Sequence, residues 1–206
     1  GGTANADIDA PEAWDKTIGS ENVIVAVIDS GVQTDHPDLA ANMWVNPGEI
    51  AENGIDDDSN GLVDDVHGWD FANGTNILTD SAGHGTHVAG TIAAVGNNGV
   101  GTVGVSWRAN IMALKIGDYY VSVDAAISAL DYAVKKGARI SNNSWGGYGY
   151  SQALYDAIAA AGSQGHLVVA SAGNNGLDND VYPAYPASYD LDNIISVGAS
   201  DRNDVI

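Results

Sequence analysis

Short apolar, β-branched runs alternate along this chain with amphipathic helical stretches. That rhythm restricts the fold more than any other feature. Residues 23–28 are apolar throughout, as a strand covered on both faces must be, and Asp29-Ser30-Gly31 close the run. A second run covers 111–116. The helical pattern after it places Ile127, Leu130 and Val134 on one face and stops at Gly137. A strand near 138–142 follows, then a helix capped by Ser151, carrying Leu154 and Ile158 and ended by Gly162. Strands at 167–170 and 194–197 complete the series. The alternation predicts an α/β fold: a doubly wound, mainly parallel sheet with helices on both faces. Ligands on such sheets bind outside the carboxyl ends of the strands. Asp29, Ser144 and Gly173-Asn174 all fall there, so they define one candidate site.

With 206 residues, the chain suffices for one domain with a real core. It has no cysteine, which excludes disulfides, zinc-thiolate sites and a thiol nucleophile. Its net charge of −20 repels nucleic acid and anionic membranes, so neither is an expected partner. No apolar run is long enough to span a bilayer. The long irregular part, roughly 42–82, is rich in Asn, Gly and Asp.

Two segments carry chemistry. Asp29 ends an apolar strand, and a buried carboxylate needs donors. His84 opens a helix of small residues (Ala89, Gly90, Ala93, Ala94), and Gly83 and Gly85 beside it permit close approach of another segment. Taken singly, Asp29 could simply cap the Ser30-Gly31 turn and His84 could be an ordinary helix-start histidine. Together, an acid and a histidine at the ends of regular elements are two-thirds of a nucleophilic triad. His87, one turn on, reads as a packed or hydrogen-bonded structural histidine.

The motifs Val25-Ala26-Val27-Ile28-Asp29-Ser30-Gly31 and His84-Gly85-Thr86-His87-Val88-Ala89-Gly90 resemble those of the subtilisin-like serine peptidases, the subtilases. The resemblance continues through His36-Pro37-Asp38-Leu39, Asn143-Ser144-Trp145-Gly146-Gly147, Ser171-Ala172-Gly173-Asn174 and Tyr185-Pro186-Ala187-Ser188. It implies that Asp29 orients His84, that His84 is general base and then general acid, and that Asn174 serves the oxyanion hole. It implies a peptide groove walled by Ser144, Trp145 and Gly146, by Gly117, and by Ala172 and Gly173. Trp145 could equally belong to the core. The family's serine sits in a Gly-Thr-Ser-Met-Ala type motif, which this sequence lacks. Residues 1–206 are therefore expected to be a partial peptidase domain, incomplete at both ends. The serine would lie on other polypeptide, such as a C-terminal fragment of the same protein. The expected protein is a secreted endopeptidase acting on proteins and peptides. A non-catalytic peptide-binding or calcium-binding fragment is the alternative. Tyr185-Pro186 matches a family turn with a cis bond.

Calcium is the expected cofactor. Residues 56–65 read D-x-D-x-N-G-x-x-D, with oxygen donors at alternating positions and Gly61 at the sharp turn. The closing glutamate of such a loop is absent, since His67 stands there, and Asp64 or Asp65 would replace it; the expected ligands are Asp56, Asp58, Asn60, the Leu62 carbonyl and Asp64. The resemblance implies a second site at Asp38 with Val95, Asn98, Val100 and Thr102, which usually takes one further ligand from an N-terminal segment. Asp70 and Asp80 suggest a third, weaker site.

Overall fold

The computed structural model describes residues 7–203 together with 205 and 206. A short helix α1 (Ala10–Trp14) precedes the long first strand β1 (Gly19–Asp29). The chain then runs through the irregular Asn/Asp-rich part to β2 (Gly68–Asp70) and α2 (His84–Ala93). Next come β3 (Arg108–Lys115), α3 (Val123–Lys135), β4 (Ile140–Asn143), α4 (Gln152–Ser163), β5 (Leu167–Ser171) and β6 (Ile194–Val197).

The six strands form one sheet in the order β2-β3-β1-β4-β5-β6, and every pair is parallel. β1 is central. From β1 the chain goes to the edge strand β2, returns to β3 beside β1, then crosses to β4 on the other side, so the order reverses at β1. Alternation along β1 explains why both faces are covered. Val25 and Val27 enter a cluster with Ala89 and Ala93 of α2, while Ala26 and Ile28 enter a cluster with α3 and α4. The continuous apolar run is thus two interleaved faces, as the sequence predicts.

The helix boundaries follow their caps. Ser122 and Ser151 accept from the backbone N–H of Ala125 and Leu154, and Gly137 at φ +86° ends α3. Gly162 does not end α4, as the sequence suggested. The helix continues to Ser163, and Gly165 at φ +78° follows its end. Gly162 is small because a Cβ there would stand 2.6 Å from the side chain of Asn193, which is packed against the helix. The bond between Tyr185 and Pro186 is cis.

Candidate active site

The reversal at β1 puts Asp29 where an open parallel sheet forms its ligand crevice. The residue is 3% exposed. Its Oδ1 accepts from the backbone N–H of Ser30 at 2.7 Å and from His84 Nδ1 at 2.6 Å. Its Oδ2 is buried and takes no hydrogen bond among the described residues. The His84 side chain is 55% exposed. With Nδ1 held by the carboxylate, Nε2 is the nitrogen left to meet a reactant.

Close packing sets this geometry. A Cβ on Gly85 would collide with the carbonyl oxygen of Gly31, so only glycine lets the first turn of α2 reach the β1 turn. Gly83 occupies the cap position of α2 at φ +74° and offers no side-chain cap. Asp80 supplies it from outside the helix. One carboxylate oxygen accepts from Gly83 N–H and the Ser30 hydroxyl, and the other accepts from Thr86 N–H, all at 2.8 Å. Ser30 Oγ in turn accepts from Gly85 N–H at 3.0 Å. Burial alone would raise the Asp80 carboxyl, but these hydrogen bonds outweigh it and hold the group below the usual carboxylate range. Asp80 is thus a helix cap rather than a member of a third metal site. Its former partner Asp70 caps its own turn at Ala72 and Asn73. His87 is exposed, not packed.

The other residues expected to line the groove collect at the neighbouring strand ends. A cavity of about 260 Å³ is lined by Ser144, Gly173 and Asn174 together with residues at the ends of β4, β5 and β6. Ala172 faces the adjoining hollow near Tyr148. Gly117 lies just past β3, on the other side of β1, in an antiparallel bridge with Val121. Trp145 packs against the core, and its Nε1 donates to the Ile28 carbonyl at 3.1 Å, closing over the end of β1. Gly146 lies against the Tyr185 carbonyl, and Gly147 bridges Tyr185.

Two acidic centres stand elsewhere in the fold, one at Asp38 and one in the 56–65 loop. The carboxylate of Asp38, 2% exposed, accepts from Asn98 Nδ2 at 2.7 Å and Thr102 N–H at 2.9 Å. Val95 N–H donates to the Asp38 carbonyl and Val100 N–H to Asn98 Oδ1, so the expected segments do meet. Residues 1–6 lie outside the described residues. In the 56–65 loop, Asp56 accepts from Asn60 and Gly61 N–H, and Asn60 Oδ1 accepts from Leu62 N–H. The inward acid is Asp65 rather than Asp64. Asp65 is fully buried and accepts from Asn46, Asn60 and the Tyr132 hydroxyl, while Asp64 accepts from the backbone of Asn53 and Gly54. Burial and the Asp65 carboxylate push the Tyr132 phenol far up, which keeps it a donor.

Sequence reasoning missed Glu49 and Lys136 here. Carboxylate oxygens of Glu49, Asp58 and Asp65 lie within 4.8 Å of one another. Lys136, at the end of α3, binds Asp58 and stands 3.9 Å from Asp65. Burial alone would raise the Asp58 carboxyl; hydrogen bonds from Lys136 and Asn46 outweigh it and hold the group low.

Residues 20–206 match the Subtilase family. The chain belongs to it. Subtilase relatives include thermitase of Thermoactinomyces vulgaris, 36% identical over 96% of this chain and 61% of its own length. Subtilisin-like protease 1 of Plasmodium vivax is 39% identical over 73% of this chain and 24% of its own length. The crystal structure of fervidolysin from Fervidobacterium pennivorans, titled a keratinolytic enzyme related to subtilisin, superposes with a TM-score of 0.65 at 35% identity. It covers 86% of this chain and 25% of that one. The chain therefore spans less than two thirds of these relatives. The fold is the subtilisin-like α/β fold of a serine protease family, as the motifs implied. Among the described residues, no helix is long and apolar enough to cross a membrane.

Proposed function

We propose that this chain is the Asp/His part of a secreted, calcium-stabilised serine endopeptidase whose nucleophilic serine lies outside these 206 residues. The observation that carries the reading is the 2.6 Å bond from His84 Nδ1 to the buried Asp29, at the strand where the sheet order reverses. Asp29 fixes the tautomer with the Nδ1 proton and stabilises the imidazolium when it forms. His84 Nε2 removes the serine proton as the hydroxyl attacks the peptide carbonyl. The Asn174 side-chain amide donates to the oxyanion that develops. His84 then passes the proton to the leaving amine, and water repeats the sequence on the acyl-enzyme. The substrate backbone pairs as an added strand between Ser144, Trp145 and Gly146 on one side and Gly117 on the other. Ala172 and Gly173 wall the pocket for its side chain.

Bound calcium would supply fixed positive charge to the acidic loops. Asp56, Asp58, Asn60, the Leu62 carbonyl and Asp65, with Glu49 beside them, would hold one ion. Asp38, Asn98 and the carbonyls of Val95, Val100 and Thr102 would hold another. The donor sets are oxygen-rich and hard, which suits calcium. A cysteine-free acidic chain with such sites fits the calcium-rich medium outside cells.

Intact mass spectrometry with a fluorophosphonate probe tests the function. A serine-bearing polypeptide should take up the probe only when joined to this chain, and not when it carries His84→Ala. A full-length protein that binds peptides but never takes up the probe would be the non-catalytic alternative.

A further inference from the structure

β3 is apolar where it is buried, except at its last residue. Ile111, Met112, Ala113, Leu114 and the following Ile116 are inaccessible, and Lys115 stands among them 3% exposed. Its stem passes Gly31, where a Cβ would lie 3.3 Å from Lys115 Cδ. Its ammonium donates to the Ser30 carbonyl at 2.9 Å, the Thr79 carbonyl at 2.8 Å and Asp118 Oδ1 at 2.6 Å. Three donors thus meet three acceptors. A Leu or Met would fill the same space without desolvating a charge, so packing alone does not explain the residue.

The three acceptors belong to three segments that meet at the site. Ser30 follows Asp29, with which Lys115 is in register across the sheet. Thr79 precedes Asp80, the cap of the helix that carries His84. Asp118 follows Gly117 on the edge assigned to the peptide. The Asp118 carboxyl is held below its usual range by its hydrogen bond to Lys115 and, more weakly, by Ser81. One buried cation therefore touches the acid turn, the approach to the histidine helix and the substrate edge.

We propose that Lys115 is a positioning residue that ties the peptide-pairing edge to the Asp29 and His84 pair. The role rests on the protease reading above. Displacing the edge displaces the Ser30 and Thr79 carbonyls with it, so the pair is oriented best when the edge is in place.

The His84 Nδ1 proton reports on the pair in the 206-residue chain by proton NMR, without any nucleophile. Lys115→Met is expected to shift or broaden its downfield resonance, and Lys115→Arg, which keeps charge and donors, to restore most of it. Asp118→Asn alters an exposed loop, folds whether or not Lys115→Met does, and is expected to shift the resonance less. In the complete protease, Lys115→Met and Asp118→Asn should lower kcat/KM for a peptide that fills the edge about tenfold more than for a single-residue ester. Folded variants with a wild-type resonance and a wild-type ratio of the two substrates would overturn the proposal. If the resonance responds as described but the wild-type protein never takes up a fluorophosphonate, the protease reading falls and the tie stands.

Discussion

At Gly85, a single missing methyl group decides whether the acid and the histidine can meet. A Cβ there would collide with the Gly31 carbonyl and stand 3.0 Å from Asp29 Cβ and 3.1 Å from Asp29 Oδ1. These are backbone or short side-chain atoms, so neither partner can swing aside. Gly85→Ala is expected to push α2 off the β1 turn, lengthen the bond from His84 to Asp29, and cost about 1–3 kcal/mol in urea unfolding. An unchanged urea midpoint would contradict this account. His166 shows the same dependence on one atom. It is 2% exposed, its Nδ1 bonds the Ala138 carbonyl at 2.8 Å, and its Nε2 has no partner among the described residues. Burial pushes the imidazole below its ordinary value of 6.5. Above that value both folded and unfolded chains hold it neutral, and its contribution to stability is complete. As pH falls below it, the unfolded chain binds a proton that the folded chain refuses, so stability drops until the folded pKa is reached. The urea midpoint should therefore fall more between pH 7.5 and 5 in the wild type than in His166→Phe. Equal losses would show that another group drives the change.

At the scale of elements, the helix that carries His84 begins without a cap of its own, and Asp80 makes up the deficit. Asp80→Ala strands Gly83 and Thr86 N–H and frees the Ser30 hydroxyl. It is expected to cost about 1–2 kcal/mol, the usual size of a lost cap, and to speed amide exchange selectively in the first turn of α2. Exchange that rises uniformly across the sheet would instead mean a global effect. Elements whose signal is local were legible in the sequence. The β-branched run before Asp29, the serine cap of α4, and the glycine after α3 each carry their own cause within a few residues. What depends on distant partners was not legible. β2 is three residues long and exists only because β3 lies beside it. Gly162 has the appearance of a helix stop because its real neighbour, Asn193, is far away in sequence. The site divides the same way. Asp29 and His84 stand in motifs, whereas Asp80 as a cap, Lys115 as a buried cation, and Glu49 and Lys136 in the acid cluster reveal themselves only when folded.

At the scale of the whole molecule, a chain of net charge −20 compacts against its own repulsion. The acids are not spread evenly. Glu49, Asp58 and Asp65 converge on one point, and only Lys136 enters there among the described cations. Asp38 is buried under the 95–102 segment. Simple screening by salt would relieve the general repulsion but would not distinguish these places from the rest of the surface. A bound divalent ion would. Calcium at a hundred times its dissociation constant should stabilise the fold by about 2.7 kcal/mol per site. Melting at constant ionic strength, with calcium chloride exchanged against sodium chloride, separates the two effects. The midpoint should rise with calcium and fall back with chelator. Asp56→Ala together with Asp58→Asn should remove part of the rise, and Asp38→Asn another part, because the two centres share no ligand. If sodium chloride of equal ionic strength reproduces the whole rise, the acids act only as a diffuse charge and neither centre holds an ion.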